Sequence, residues 1–142
     1  VLCTVLHDSG IDAPYKPTHR KHPICVWASE SLSNWKWIQT FVSYLNAENK
    51  FRYGKDHKSA IVAAFLPDPN IDDIGPTPFP MAFSNVYKGD NLEESYRKYY
   101  ICEKKIFKSG VAKWTNRPIP YWMREGGSIY ATKKKTTEAN RA

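Results

Sequence analysis

The chain has 142 residues, of which 42% are hydrophobic and 25% charged, a balance that fits one globular domain and excludes wholesale disorder. No apolar run approaches the roughly 18 residues of a membrane helix and no basic-then-apolar leader opens the chain, so a soluble, cytoplasmic protein with no membrane partner is expected. The formal net charge is +7, yet residues 97–142 alone hold twelve Lys/Arg against three Glu, a local +9; a one-sided basic field of this kind attracts polyanions, although a merely solvated basic face has the same composition.

In chain order, Val1 to His7 are apolar and helix-compatible, and Asp8-Ser9-Gly10 stop them. Residues 11–21, with Pro14 and Pro17, read as extended loop. His22-Pro23 restarts order, because Pro suits the first helical position and Ile24 to Glu30 contain no breaker. Ser33 is the expected N-cap of the next helix, whose Trp35, Ile38, Phe41, Val42 and Leu45 form an apolar stripe. That helix should end at Tyr53 before Gly54, and Asp56 should cap a shorter one through Leu66.

Five prolines in residues 67–80 forbid a regular element and predict a long surface loop. Asp90 with Glu93 reads as a capping box for a helix carrying Leu92, Tyr96, Tyr99, Tyr100 and Phe107 on one face. Lys104, Lys105 and Lys108 fall in its last turns, where the helix dipole favours cations, and Gly110 should end it. Trp114 to Trp122 then form an irregular strap, and a basic tail over 127–142 contains Lys133-Lys134-Lys135. With no strand alternation and no repeat, the expected fold is mainly α: one helical bundle over 1–126 with a Pro-rich loop and a C-terminal strap.

Chemistry-bearing residues are few. Cys3, Cys25 and Cys102 are odd in number and widely spaced, which fits reduced thiols better than a disulfide framework. His19-x-x-His22-x-x-Cys25 offers zinc-ligand types, but loop, helix start and helix interior are a poor platform, so neither a metal nor another cofactor is expected; His22 capping its helix and His19 bonding a backbone carbonyl are the simpler roles. Arg52, Lys55, His57 and Lys58 surround one turn and can face a phosphate together, with Gly54 permitting the bend. Near the C-terminus, Trp114, Tyr121, Trp122 and Tyr130 interleave with Lys113, Arg117 and Arg124, a mixture suited to phosphate contact and base stacking as well as to core anchoring. No nucleophile elbow, phosphate-binding loop, HExxH pair or dinucleotide-binding glycine pattern occurs.

Taken together, Tyr15-Lys16-Pro17-Thr18-His19, His22-Pro23, Trp27, Arg52-Tyr53-Gly54-Lys55, His57-Lys58, Thr77-Pro78-Phe79, Tyr96 and Lys113-Trp114 resemble a family of small phage and bacterial proteins likened to the phage-type pyrimidine-dimer DNA glycosylases. The resemblance covers about residues 2–122 and implies a helical domain, DNA as partner and a further stretch ahead of Val1. Glycosylase/lyase chemistry needs an amine to attack the sugar and a carboxylate to manage protons. The matched motifs supply neither group, so Glu30, on the helix after His22, is offered as the acid on residue type alone, with His19 and His22 as further catalytic candidates. They should converge with Arg52, Lys55, His57 and Lys58 on one pocket, while Lys104, Lys105, Lys108, Lys113, Trp114 and Arg117 contact DNA or RNA. A second expectation is an interaction module that docks a partner, or a second copy to form a homodimer, through loop 67–80 with Phe79, Met81 and Phe83 as anchors.

Overall fold

The computed structural model describes residues 1–107 and 109–125, with Glu125 described by its backbone alone. It is mainly helical; among the described residues the only strands are two of two residues each. Contacts gather the chain into two compact units, Val1–Ala82 and the residues from Phe83 onward, so the boundary falls inside the span expected to be one domain.

In the first unit, α1 (Leu2–Asp8), α2 (Pro23–Glu30), α3 (Leu32–Tyr53) and α4 (Lys58–Ala64) surround a core of Leu2, Val5, Leu6, Trp27, Ala28, Trp35, Ile38 and Ala63. Trp35 is fully buried, and its Nε1 donates to the Leu2 carbonyl at 3.2 Å, so one side chain both fills the core and ties α3 to α1. Gln39 ties α3 to α4, donating from Nε2 to the Ala63 carbonyl at 2.8 Å. Gly54 ends α3 in the left-handed region (φ 72), where its N–H reaches the Lys50 carbonyl at 2.8 Å. Cys3 and Cys25 are buried free thiols.

Three helix starts differ from expectation. Ser31 is the N-cap residue of α3 in place of Ser33, and α4 begins after His57 in place of Asp56. The physical reason at α3 is a remote carboxylate: Asp73 Oδ1 accepts from the Ser33 hydroxyl at 2.6 Å, the Gly75 N–H at 3.0 Å, the Ser31 hydroxyl at 3.1 Å and the Ser33 N–H at 3.3 Å. Led by the Ser33 bond, these donors lower the Asp73 pKa from 3.8 to about 2. At α4, Asp56 is occupied elsewhere, accepting from Asn46 Nδ2 at 3.0 Å.

The apolar stripe of α3 is buried only at its start. Trp35 and Ile38 lie in the core, whereas Phe41 and Leu45 are 44% and 53% exposed. A 22-residue helix rises about 32 Å, while its neighbours in the unit have seven or eight residues and cover only part of that length.

The Pro-rich segment has no regular structure, as its composition predicts, but it is stitched to the helices. The Leu32 N–H donates to the Asp72 carbonyl at 3.0 Å, and Lys36 pairs with Asp68 at 2.8 Å. Phe79 turns inward, its ring 4.9 Å from Trp27 and 5.2 Å from Trp37 between centroids. As an anchor for a partner it is therefore already occupied by its own core.

The second unit contains a short 3-10 turn (Asn85–Tyr87), α5 (Leu92–Tyr99), a π-helical turn (Tyr100–Lys104), a hairpin of β1 (Ile106–Phe107) and β2 (Gly110–Val111), and α6 (Tyr121–Glu125). Asn91, not Asp90, caps α5: its Oδ1 accepts from the Glu94 N–H at 2.9 Å. The helix expected to run through Phe107 gives way at Lys104, because Ile106 and Phe107, a β-branched and an aromatic residue, pair antiparallel with Val111 and Gly110. Phe83 stacks on Tyr99 at 5.0 Å and meets Tyr96 edge-on at 4.7 Å, so it too is held by neighbouring rings. Among the described residues of this unit Ile101 and Met123 are the buried apolar ones, and the strap is irregular up to Pro120, after which α6 begins. The tail over 127–142 lies outside the described residues.

Candidate nucleic-acid interface

His22 is the N-cap residue of α2, accepting the Ile24 N–H on Nδ1 at 3.1 Å. His57 repeats the device at α4, where Nδ1 accepts from the Ser59 N–H at 3.3 Å. Capping was expected of His22; for His57, expected as a phosphate contact, it is an additional role. Exposed His19 sits at φ 50, and its carbonyl receives the His22 N–H at 2.9 Å, which closes the turn into α2. The ring-to-carbonyl bond expected of His19 is made instead by His7, whose Nε2 lies 2.9 Å from the Tyr15 oxygen.

Glu30 is exposed, and its Oε2 accepts the Thr77 hydroxyl at 2.8 Å. Thr77 is the centre of a knot: its carbonyl accepts from Trp27 Nε1 at 3.0 Å, and its N–H and hydroxyl both bond the Asn34 amide. Glu30 lies just ahead of α3 and Arg52 in its last turn, so the helix holds them about 30 Å apart. The expected convergence on one pocket is therefore corrected for Glu30, which α3 keeps at the opposite end from the Arg52 to Lys58 turn.

Within the turn the four expected phosphate ligands are not equivalent. Arg52 is half-buried and donates from Nε to Glu48 Oε1 at 2.7 Å, and His57 serves its helix. Lys55 and Lys58 are exposed, and among the described residues no carboxylate pairs with either. Two cations at this turn therefore face solvent.

The second unit holds thirteen Lys/Arg against six Asp/Glu, while the first holds eight against eight, so the whole formal +7 belongs to the second. Trp114 and Arg117 are the ends of one tight turn, closed by the Arg117 N–H on the Trp114 carbonyl at 2.9 Å, and Lys113 leads into it. Asn116 makes that turn by adopting φ 57, which a short amide side chain tolerates. Lys113 and Arg117 are exposed and Trp114 is half-buried. Lys104 is exposed, with its ammonium 5.7 Å from the Tyr99 ring centroid. Lys105, expected on the phosphate face, instead donates to the Met123 carbonyl at 3.2 Å and anchors α6. Lys108 lies outside the described residues.

Arg97 pairs with Glu93 at 2.5 Å and lies 5.5 Å from the Trp122 ring centroid and 6.0 Å from that of Tyr121, contacts with α6 that no local motif in the sequence announces. Among the described residues no His/Cys/Asp/Glu group is arranged to hold a metal ion, and no helix is long and apolar enough to cross a membrane.

Comparison with protein-family models, with curated proteins and with solved structures found no match to this chain.

Proposed function

We propose that this protein associates with nucleic acid through its second unit, chiefly by phosphate contact. The observation that carries the reading is the confinement of the net charge to that unit; the exposed Lys113 and Arg117, which flank Trp114 in sequence at the 114–117 turn, support it. Exposed cations neutralise phosphates and release counterions, and a half-buried indole next to them offers an edge or face on which an unpaired base stacks. Base-excision chemistry is not part of the proposal, since Glu30 and the Arg52 to Lys58 turn do not share a pocket.

The test is fluorescence anisotropy with labelled single-stranded and duplex DNA and RNA at low ionic strength. Replacing Lys113 and Arg117 together by Ala should weaken binding by a similar factor on every sequence, as phosphate contacts do. Unchanged affinity in the double variant would remove the proposed interface.

A further inference from the structure

The first unit contains a cleft of about 430 Å³ between α1, α3, α4 and the 11–21 loop, a size within the roughly 300–1,000 Å³ of small-ligand sites. Its wall is aliphatic, with Ile38 and Val42 from α3 and Val62 and Leu66 from the α4 side. Its polar residues lie along the loop and the ends of two helices: where the loop meets α4 the Tyr15 hydroxyl lies 3.4 Å from Ser59 Oγ with Lys16 beside it in the lining, and where it meets α1 the Thr4 hydroxyl donates to the Thr18 carbonyl at 3.1 Å. No Asp or Glu lines the cleft, and Lys16 is the one Lys or Arg among its lining residues. Among the described residues no carboxylate pairs with Lys16.

An aliphatic wall with the Lys16 side chain and the Tyr15 and Ser59 hydroxyls where the loop meets α4 is complementary to a molecule with an apolar body and an anionic head. We propose that this cleft binds a small amphipathic anion, an alkyl chain of about six to eight carbons ending in a carboxylate or phosphate. The chain lies against Ile38, Val42, Val62 and Leu66, and the head group takes the Lys16 ammonium with hydroxyl donation from Tyr15 or Ser59. All of its lining residues belong to the first unit, so the proposal does not rest on nucleic-acid binding by the second.

The experiment titrates octanoate, octyl phosphate and 1-octanol into the full chain, read by amide chemical shifts and by calorimetry. Octanoate and octyl phosphate should shift the Val42 and Val62 amides and bind at least tenfold more tightly than 1-octanol. Shortening octanoate to hexanoate should cost about fourfold per methylene. Lys16→Met should remove most of the preference for the anions while leaving 1-octanol unchanged, and Val62→Trp should abolish all three by filling the cleft. Lys16 is exposed, so its variant tests the proposal even if Val62→Trp fails to fold. A preference for the phosphate over the carboxylate would identify the head group. Equal affinity for 1-octanol and octanoate, no effect of Lys16→Met, or no saturable shift at the cleft would overturn it.

Discussion

Asn34 and Thr77, far apart in the chain, bond each other twice: the Thr77 N–H donates to Asn34 Oδ1 at 3.0 Å, and Asn34 Nδ2 donates to the Thr77 hydroxyl at 2.7 Å. The same Nδ2 reaches the Trp27 carbonyl at 2.8 Å, and Asn34 is fully buried. One amide thus fixes the Pro-rich segment to both α2 and α3, and brings Phe79 onto the Trp27 and Trp37 rings.

Asn34→Ala strands the Thr77 N–H and the Trp27 carbonyl, and a buried polar group left without its partner costs roughly 1–3 kcal/mol. The expected loss is therefore about 2–4 kcal/mol in urea unfolding. Thr77→Val, which keeps the N–H bond to Asn34 Oδ1, should cost less than Asn34→Ala. A loss below 1 kcal/mol for Asn34→Ala would mean that the segment is held by other contacts.

The two histidine caps make a paired prediction. His22→Ala and His57→Ala remove the acceptors for the Ile24 and Ser59 N–H groups, and each should lower stability by about 1 kcal/mol. His22→Asn, which restores a side-chain acceptor at the cap, should recover most of that loss. Thermal unfolding of the three variants against the parent chain decides it, and an Asn variant no better than Ala would argue against capping.

Asp73 sets an acid limb. Because its carboxyl is lowered to about 2 in the folded chain from an ordinary 3.8, the stability it contributes is complete above pH 4 and is lost as pH falls from there towards 2. Asp73→Asn keeps an acceptor oxygen but cannot titrate, so the variant should be less stable near pH 6 and its stability should fall less steeply between pH 4 and 2. Parallel acid limbs in the two proteins would contradict this assignment.

Much of the helical plan is legible in the sequence because its punctuation is local. Pro23 starts α2, Gly54 ends α3, and the prolines of 67–80 forbid a helix. The helix starts at α3 and α5 are less legible, since several neighbouring polar residues can cap; at α3 the deciding partner, Asp73, is far away in sequence. The exposure of Phe41 and Leu45 is likewise a tertiary fact, set by how short the neighbouring helices are. For the site, charge placement points to the second unit, but residue types alone point to one pocket for Glu30 and Arg52. The separating signal was already present in the length of the helix expected between them, at about 1.5 Å per residue.

Trp114 separates stacking from packing. Trp114→Ala should weaken single-strand binding by roughly 1–3 kcal/mol if the indole stacks on a base, and duplex binding by much less. Circular dichroism of the same sample shows whether the second unit remains folded. Loss of structure would assign Trp114 to packing and leave phosphate contact as the whole interaction.

The salt dependence of nucleic-acid affinity tests the central claim most directly. Phosphate neutralisation by Lys104, Lys113 and Arg117 alone gives a slope of log K against log salt near −2.7 on duplex DNA, and contacts from Lys108 and the 133–135 lysines steepen it. Lys113→Ala should then flatten the slope by about 0.9. A folded protein that binds no nucleic acid at low ionic strength, or one whose affinity ignores salt, would contradict the account.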